Sequence, residues 1–162
     1  MILRGWAGRL LISVDPWLEA PADEYVDIAN VSQSRHEQFL QATRERLAGF
    51  GKRSEVWRMT GNEAAARISD GSLDFVYLDA RHDYESARND ITVWFPKVRP
   101  GGVIAGHDYL DGRLREGVFG VRSAVDEFFA ARDLPVGVTT NEPVAFPSWL
   151  VVVPRGATAQ QT

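Results

Sequence analysis

Acidic and amide side chains recur at one kind of place in this chain, just past short apolar runs. Asp15 follows residues 10–14, and Gly61-Asn62-Glu63 follows residues 54–60. Asp79 follows residues 73–78, and His107-Asp108 follows residues 103–106. Buried strands have no need of carboxylates at their ends, whereas open α/β sheets bind ligands at the carboxyl ends of their strands. The recurrence therefore points to a ligand site. Asp79 and Asp108 end two runs expected to be neighbouring strands, about 4.8 Å apart. Two carboxylates so placed suit one divalent cation such as Mg²⁺, Ca²⁺ or Mn²⁺. The plainer reading is that they cap helix N-termini with no metal at all. His107 is a third ligand or a base, since imidazole titrates near neutrality. A regular strand would point His107 and Asp108 in opposite directions, so both face one site only if the backbone twists there. Asp15 is either an acceptor for a ribose diol or a turn aspartate before Pro16.

Other polar residues are weaker candidates. His82 follows Asp79 closely, and either contacts a ligand or caps a helix. Asp90 reads as a solvated or packing residue, Trp57 and Trp94 as core, and His36 as a residue without a role. Arg113 and Arg115 lie in a polar stretch where solvated charge is the default reading.

The elements that must position these groups alternate between strand and helix. Strands are expected at residues 10–14, 54–60, 73–78, 103–106, 136–140 and 149–153. Helices are expected at about 32–50, 63–68, 84–94 and 121–132. Residues 18–31 read as a loop or an irregular short helix, and Pro100-Gly101-Gly102 as a break. The polar, glycine-containing residues 109–118 read as a mobile loop, and 155–162 as a frayed tail. The alternation predicts βαβ units, a mainly parallel sheet and helices on both of its faces.

Composition narrows the function classes. The chain has 162 residues, 18 basic and 22 acidic side chains, and a net charge of −4. That balance gives no general attraction to nucleic acid or to anionic membranes. There is no cysteine, which removes disulfides, thiolate metal sites and thiol nucleophiles. No stretch reaches the ~18 apolar residues of a membrane helix. The Arg-bearing residues 1–14 lack a cleavage site and run straight into a strand ending at Asp15-Pro16. A cytoplasmic location is the expectation.

The ordered set of motifs resembles the class I S-adenosylmethionine-dependent methyltransferases. The residues that carry the resemblance are Leu73-Asp-Phe-Val-Tyr-Leu-Asp79-Ala-Arg-His82-Asp-Tyr84, then Asp90, Trp94, Pro100-Gly-Gly102 and His107-Asp108-Tyr109. Phe119-Gly120-Val121 and Pro147-Ser148-Trp149 extend it. The small-molecule subfamily carries the pattern Asp-Gly-x-His-x-Tyr, then Pro-Gly-Gly, then His-Asp. The resemblance implies a Rossmann-like, seven-stranded sheet over residues 1–154, with S-adenosylmethionine at its carboxyl edge. Asp15 then corresponds to the ribose-binding acid, and Gly61, Asn62 and Glu63 to the loop near the adenine. Asp79 falls near the methionine part and the metal, and His107 and Asp108 at further metal positions. The implied reaction is methyl transfer to an oxygen or nitrogen of a small molecule, with no nucleic-acid or membrane partner. A bound Mg²⁺ or similar ion would lower the acceptor's pKa as a Lewis acid; otherwise His107 is the base.

Two departures stand out. Ala80 replaces the usual glycine. The family's first strand and its glycine-rich turn have no counterpart, because Met1 falls at about the end of the first helix. The expectation is therefore a sheet lacking its central strand. That would reflect truncation, a partner or second copy filling the gap, or a degenerate relative that acts only in binding or assembly. A nicotinamide-dependent dehydrogenase would need a Gly-x-Gly-x-x-Gly fingerprint, which this sequence lacks.

Overall fold

The computed structural model describes residues 2–21, 23, 25–139 and 146–156. The chain divides into two compact units, Met1–Ala64 and Ala65–Thr162.

In the first unit a short helix α1 (Ile2–Gly5) precedes β1 (Leu11–Asp15), α2 (Gln33–Ala48) and β2 (Ser54–Arg58). The strands β1 and β2 pair in parallel, from Leu11 opposite Ser54 to Asp15 opposite Arg58. A parallel pair needs a crossover, and α2 supplies it. Leu3, Trp17 and Leu40 are buried. The Arg53 guanidinium donates to the carbonyls of Trp6 and Gly8, which fastens the N-terminal segment to the start of β2. The loop at residues 17–33 is stitched by side chains. Asn30 bonds the Ala20 backbone in both directions, and Gln33 bonds the Glu19 N–H and the Trp17 carbonyl.

Helix α3 (Gly61–Ala66) begins two residues before the expected start. The reason is a capping box. The Thr60 N–H and hydroxyl both donate to Glu63 Oε2, at 2.8 and 2.9 Å, and the Glu63 N–H donates back to Thr60 Oγ1. Two otherwise unpaired donors at the helix start are thereby satisfied.

The second unit holds a four-stranded sheet in the order β3 (Leu73–Leu78), β4 (Val98–Gly106), β8 (Trp149–Val152), β7 (Gly137–Val138). The βαβ step is present: β3 and β4 are parallel, joined through α4 (Tyr84–Trp94). The last two pairings are antiparallel. Pro100-Gly101-Gly102 does not break the chain ahead of the strand as expected. It bulges within β4, which advances from Val98 to Val103 while β3 advances from Leu73 to Phe75. Gly101 makes this bulge with φ of 78°, which disfavours a side chain. Bonds from the Gly101 N–H to the Val153 carbonyl and back from the Val153 N–H to the Gly102 carbonyl pin it.

Helix α4 and α5 (Val121–Ala130) carry the core of this unit. Ile91, Trp94, Val125, Phe128 and Phe129 are buried, as are Val76, Ile104, Val151 and Trp149 of the sheet. Phe128 and Phe129 meet edge to face at 5.1 Å, and Phe129 lies 5.8 Å from Trp149. The alternate residues Phe75, Tyr77, Leu150 and Val152 point to the opposite face and keep 37–55% exposure.

Residues 109–118 are not a mobile loop. They form most of a hairpin of β5 (Asp111–Arg113) and β6 (Val118–Gly120), closed at the tip by the Leu114 N–H on the Gly117 carbonyl. A hairpin this short is held by backbone pairing, which leaves little alternation to read. The strand expected at 136–140 is shorter, and Thr140 lies outside the described residues, as do residues 157–162 of the expected tail. Among the described residues β1 pairs only with β2, and β3 only with β4.

Gly106 ends β4 where only hydrogen fits. A Cβ there would lie 2.6 Å from the Leu78 carbonyl oxygen and 2.8 Å from the Trp149 ring. The Gly106→Ala variant is expected to lose about 1–3 kcal/mol. The loss is read as a lower urea midpoint at an unchanged slope.

Candidate functional site

Asp79 leaves β3 and His107-Asp108 leave β4, so the parallel register brings their backbones side by side. The Tyr77–Ala105 and Leu78–Gly106 pairs precede them directly, and the His107 N–H donates to the Leu78 carbonyl at 3.0 Å. The backbone twist needed at this point is present. Asp108 has φ of 55°, in the left-handed region that aspartate tolerates better than most residues. It turns the carboxylate back so that Oδ1 lies 3.0 Å from Nδ1 of its own neighbour, His107. Oδ2 meets Nε2 of His82 at 2.9 Å. One aspartate thus holds two imidazoles, one on each oxygen. At 6% exposure Asp108 is the only buried charged residue among the described residues.

His82 is the residue the sequence reading undervalued. Its ring lies on Phe119, centroids 4.9 Å apart and planes within 5°. Ligand atoms of Asp79, His82 and Asp108 all lie within 4.8 Å of one another. The sequence reading paired Asp79 and Asp108 with His107; the geometry adds His82 and keeps His107 on Asp108 Oδ1. The available signal was the Asp79-x-x-His82 spacing ahead of a helix. Asp83, not His82, is the cap: its Oδ1 accepts from the Ser86 N–H at 2.9 Å. That bond starts α4 and leaves His82 facing inward.

Electrostatics sets the two carboxyl groups apart. Protein crowding raises the Asp79 carboxyl above the usual carboxylate range, and the nearby Asp108 charge adds to this. Burial also works against the Asp108 charge, but His82 and His107 outweigh it and hold Asp108 below that range. Asp90, from α4, lines the same recess as Asp79, His82, His107 and Asp108. Burial, with the Asp83 charge, pushes it up to about 6. The recess encloses about 20 Å³, enough for one water-sized group.

These residues fit a divalent cation. Two carboxylates and an imidazole are an O,O,N donor set that would suit Mn²⁺ better than Mg²⁺, which prefers oxygen ligands throughout. A cation between them would also relieve the Asp79–Asp108 repulsion that is now offset by the histidines. Coordination through His82 Nε2 would exchange its Asp108 contact for the ion.

The remaining residues singled out in the sequence belong to the first unit. Asp15 is exposed, and its Oδ1 accepts the Trp17 N–H at 2.5 Å, so one oxygen is used in a local turn. Trp17 sits there with φ of 45°. Glu63 is engaged in the capping box with Thr60, and Gly61 and Asn62 form the first turn of α3. Elsewhere, Trp94 is core, whereas Trp57 is only half-buried and donates to Glu55. Arg113 and Arg115 are exposed on the hairpin.

An acid-rich pocket past β3 and β4 lies where open α/β domains bind their ligands. Residues 3–109 match the family model described as a methyltransferase domain, and the chain belongs to that family. An uncharacterised protein of Sinorhizobium fredii is 37% identical over 79 residues, 49% of this chain and 8% of that protein. Three solved structures share the fold. A Corynebacterium glutamicum protein has a TM-score of 0.59 at 14% identity, covering 94% of this chain and 63% of its own. A Geobacter sulfurreducens methyltransferase has a TM-score of 0.53 at 15% identity, covering 90% and 58%. A Bacillus cereus O-methyltransferase in complex with SAH has a TM-score of 0.55 at 17% identity, covering 88% and 62%. The chain therefore spans less than two thirds of the length of each of these relatives.

Proposed function

We propose that the protein transfers a methyl group from S-adenosylmethionine to an oxygen or nitrogen of a small molecule, assisted by a divalent cation. The observation that carries this reading is the Asp79–His82–Asp108 cluster past β3 and β4 in a chain of the methyltransferase-domain family. The Bacillus cereus fold neighbour, in complex with SAH, favours S-adenosylmethionine as the donor. In this reading Asp15 binds the ribose through its second oxygen, and Gly61, Asn62 and Glu63 border the adenine. Glu63 is then restricted, because its capping bonds fix its carboxylate. Asp79, Asp108 and His82 hold the cation, with His107 beside them.

The donor supplies an activated sulfonium methyl: its S–CH₃ bond breaks as the new O–CH₃ or N–CH₃ bond forms. A bound cation would polarise the acceptor as a Lewis acid. His107 takes the acceptor proton, and Asp108 stabilises the imidazolium that results. The net charge of −4 favours a small-molecule acceptor over nucleic acid or a membrane surface. Among the described residues no helix is long and apolar enough to cross a membrane. A cytoplasmic enzyme, with residues 1–154 acting as one methyltransferase-like domain and self-association as one way to complete the sheet, follows from the same reading.

One observation favours a second reading, a non-catalytic module of the family acting in binding or assembly. Among the described residues β1 and β3 each have a single ladder partner, which leaves a strand edge for another chain to pair with. One experiment separates the two: calorimetric titration of S-adenosylmethionine into the chain, with Mg²⁺ and then with EDTA. Saturable one-site binding that weakens in EDTA is expected. Asp15→Ala should weaken it about tenfold, the worth of one charge-assisted hydrogen bond. No binding by the folded chain favours the non-catalytic module.

A further inference from the structure

The hairpin of β5 and β6 is fastened to the His82 segment at two points. The Gly120 N–H donates to the His82 carbonyl at 2.8 Å, fixing the backbone. The Phe119 ring lies flat on the His82 imidazole, fixing the side chain. Phe119 is only 5% exposed and packs edge-on against Phe146 at 5.4 Å, so it is itself held. Gly120 lets the strand approach this closely: a Cβ there would lie 2.7 Å from the Tyr84 backbone nitrogen. The far strand of the hairpin is anchored to α5, since both Asp111 oxygens accept from Ser123, one from its N–H and one from its hydroxyl. The imidazole thus has a defined plane and a defined edge. Its Nε2 points at Asp108 Oδ2, inside the cluster with Asp79.

An imidazole on a flexible loop would spend much of its time in other rotamers. Parallel contact with an aromatic face fixes the ring plane, and the Nε2 contact with Asp108 fixes which edge faces the cluster. Outer-shell partners that orient a metal ligand by hydrogen bonding are worth about 10–100-fold in metal affinity, and a stack that fixes the same ring is expected at the low end of that range. The link from Phe119 to the cluster is its face-to-face stack on His82.

We propose that Phe119 is the positioning residue of His82. The docked hairpin sets the imidazole plane, and a divalent cation meets the full Asp79–His82–Asp108 set only while that stack is intact. The affinity part of this inference rests on the cation-assisted reading above; the orientation part does not. The test uses the full chain with Mn²⁺ alone as probe, and reads calorimetric affinity together with the His82 ring-proton shifts by NMR. In the parent, stacking on Phe119 should move a His82 ring proton upfield by a ring-current shift. Phe119→Leu should abolish that shift and weaken Mn²⁺ about tenfold. Phe119→Tyr, which keeps the aromatic face, should restore both. His82→Gln should weaken Mn²⁺ similarly, and adding Phe119→Leu to it should cost nothing more. Phe119→Met takes the place of the leucine variant if that one fails to fold. An upfield shift that survives Phe119→Leu overturns the inference, as does Mn²⁺ affinity that stays at the parent value once the shift is lost. A parent that binds no Mn²⁺ but shows the Phe119-dependent shift overturns the cation-assisted reading and leaves the orientation of His82 by Phe119 standing.

Discussion

Replacing Asp108 with asparagine is expected to weaken Mn²⁺ binding about a hundredfold while leaving the backbone in place. Asparagine has the same shape, and it accepts the left-handed conformation that Asp108 adopts at φ of 55°. The substitution therefore removes charge and little else. An amide offers one oxygen and one NH₂ group where the carboxylate offered two oxygens. It cannot accept from His82 on one side and His107 on the other, at 2.9 and 3.0 Å. One imidazole must then turn an acceptor nitrogen to the NH₂ group, and the cluster loses an anionic ligand. Asp108→Ala does the same but adds left-handed strain of about 1 kcal/mol. Comparing the two variants separates charge from backbone. Loss of the Asp108 charge should also let the Asp79 carboxyl titrate lower, because that charge helps raise it. Parent-like Mn²⁺ affinity in Asp108→Asn would remove Asp108 from the ligand set.

The same variant has a stability signature. The Asp108 carboxyl is held below its ordinary value, so the folded state favours its charged form. That contribution is present above the unfolded value of ~3.9 and is lost as pH falls through the depressed folded value. The stability deficit of Asp108→Asn should therefore be full above about pH 4.5 and shrink in stronger acid.

Much of this site was legible because strand ends and acids coincide in the sequence. Asp79 and Asp108 could be paired from the apolar runs before them, since a βαβ unit places such ends side by side. The orientation of Asp108 was not legible. Simple alternation sends His107 and Asp108 to opposite sides, and only a positive φ reverses this. His82 was undervalued for a related reason. Its partner Asp108 is 26 residues away in sequence and its stacking partner Phe119 is 37 away, so no local pattern reports either contact. Glu63 shows the opposite failure: the Thr60-x-x-Glu63 spacing of a capping box was plainly written, yet the residue was read only toward a ligand. The hairpin at residues 111–120 escaped because its pairing is made by backbone groups, which composition does not record. The parallel β3–β4 pair and the amphipathic α4 and α5 were clear, since burial on one face imposes a period that the sequence must keep.

Asp90 yields the last expectation, and here the sign is opposite to that of Asp108. Its carboxyl is pushed up to about 6, first by burial and then by the Asp83 charge, with only Asn89 opposing. A folded-state value above the unfolded one means that the folded protein holds the proton more tightly. The stability this provides is full below the unfolded value of ~3.9 and is lost as pH rises through about 6. A shift of this size corresponds to about 3 kcal/mol, and because Asp90 is only half-buried a realistic gain on removing the charge is about 2 kcal/mol. Asp90→Asn mimics the neutral acid. It should match the parent near pH 4 and exceed it by about 2 kcal/mol at pH 8. For a chain of this length that is a rise in Tm of roughly 4–8 °C. Urea unfolding of both proteins at the two pH values checks it. An equal difference at both pH values would mean that the effect comes from packing or hydrogen bonding and not from the Asp90 charge. A loss at pH 8 would mean that the ionised carboxylate has a stabilising partner in the recess, and a bound cation there would be the first candidate to test.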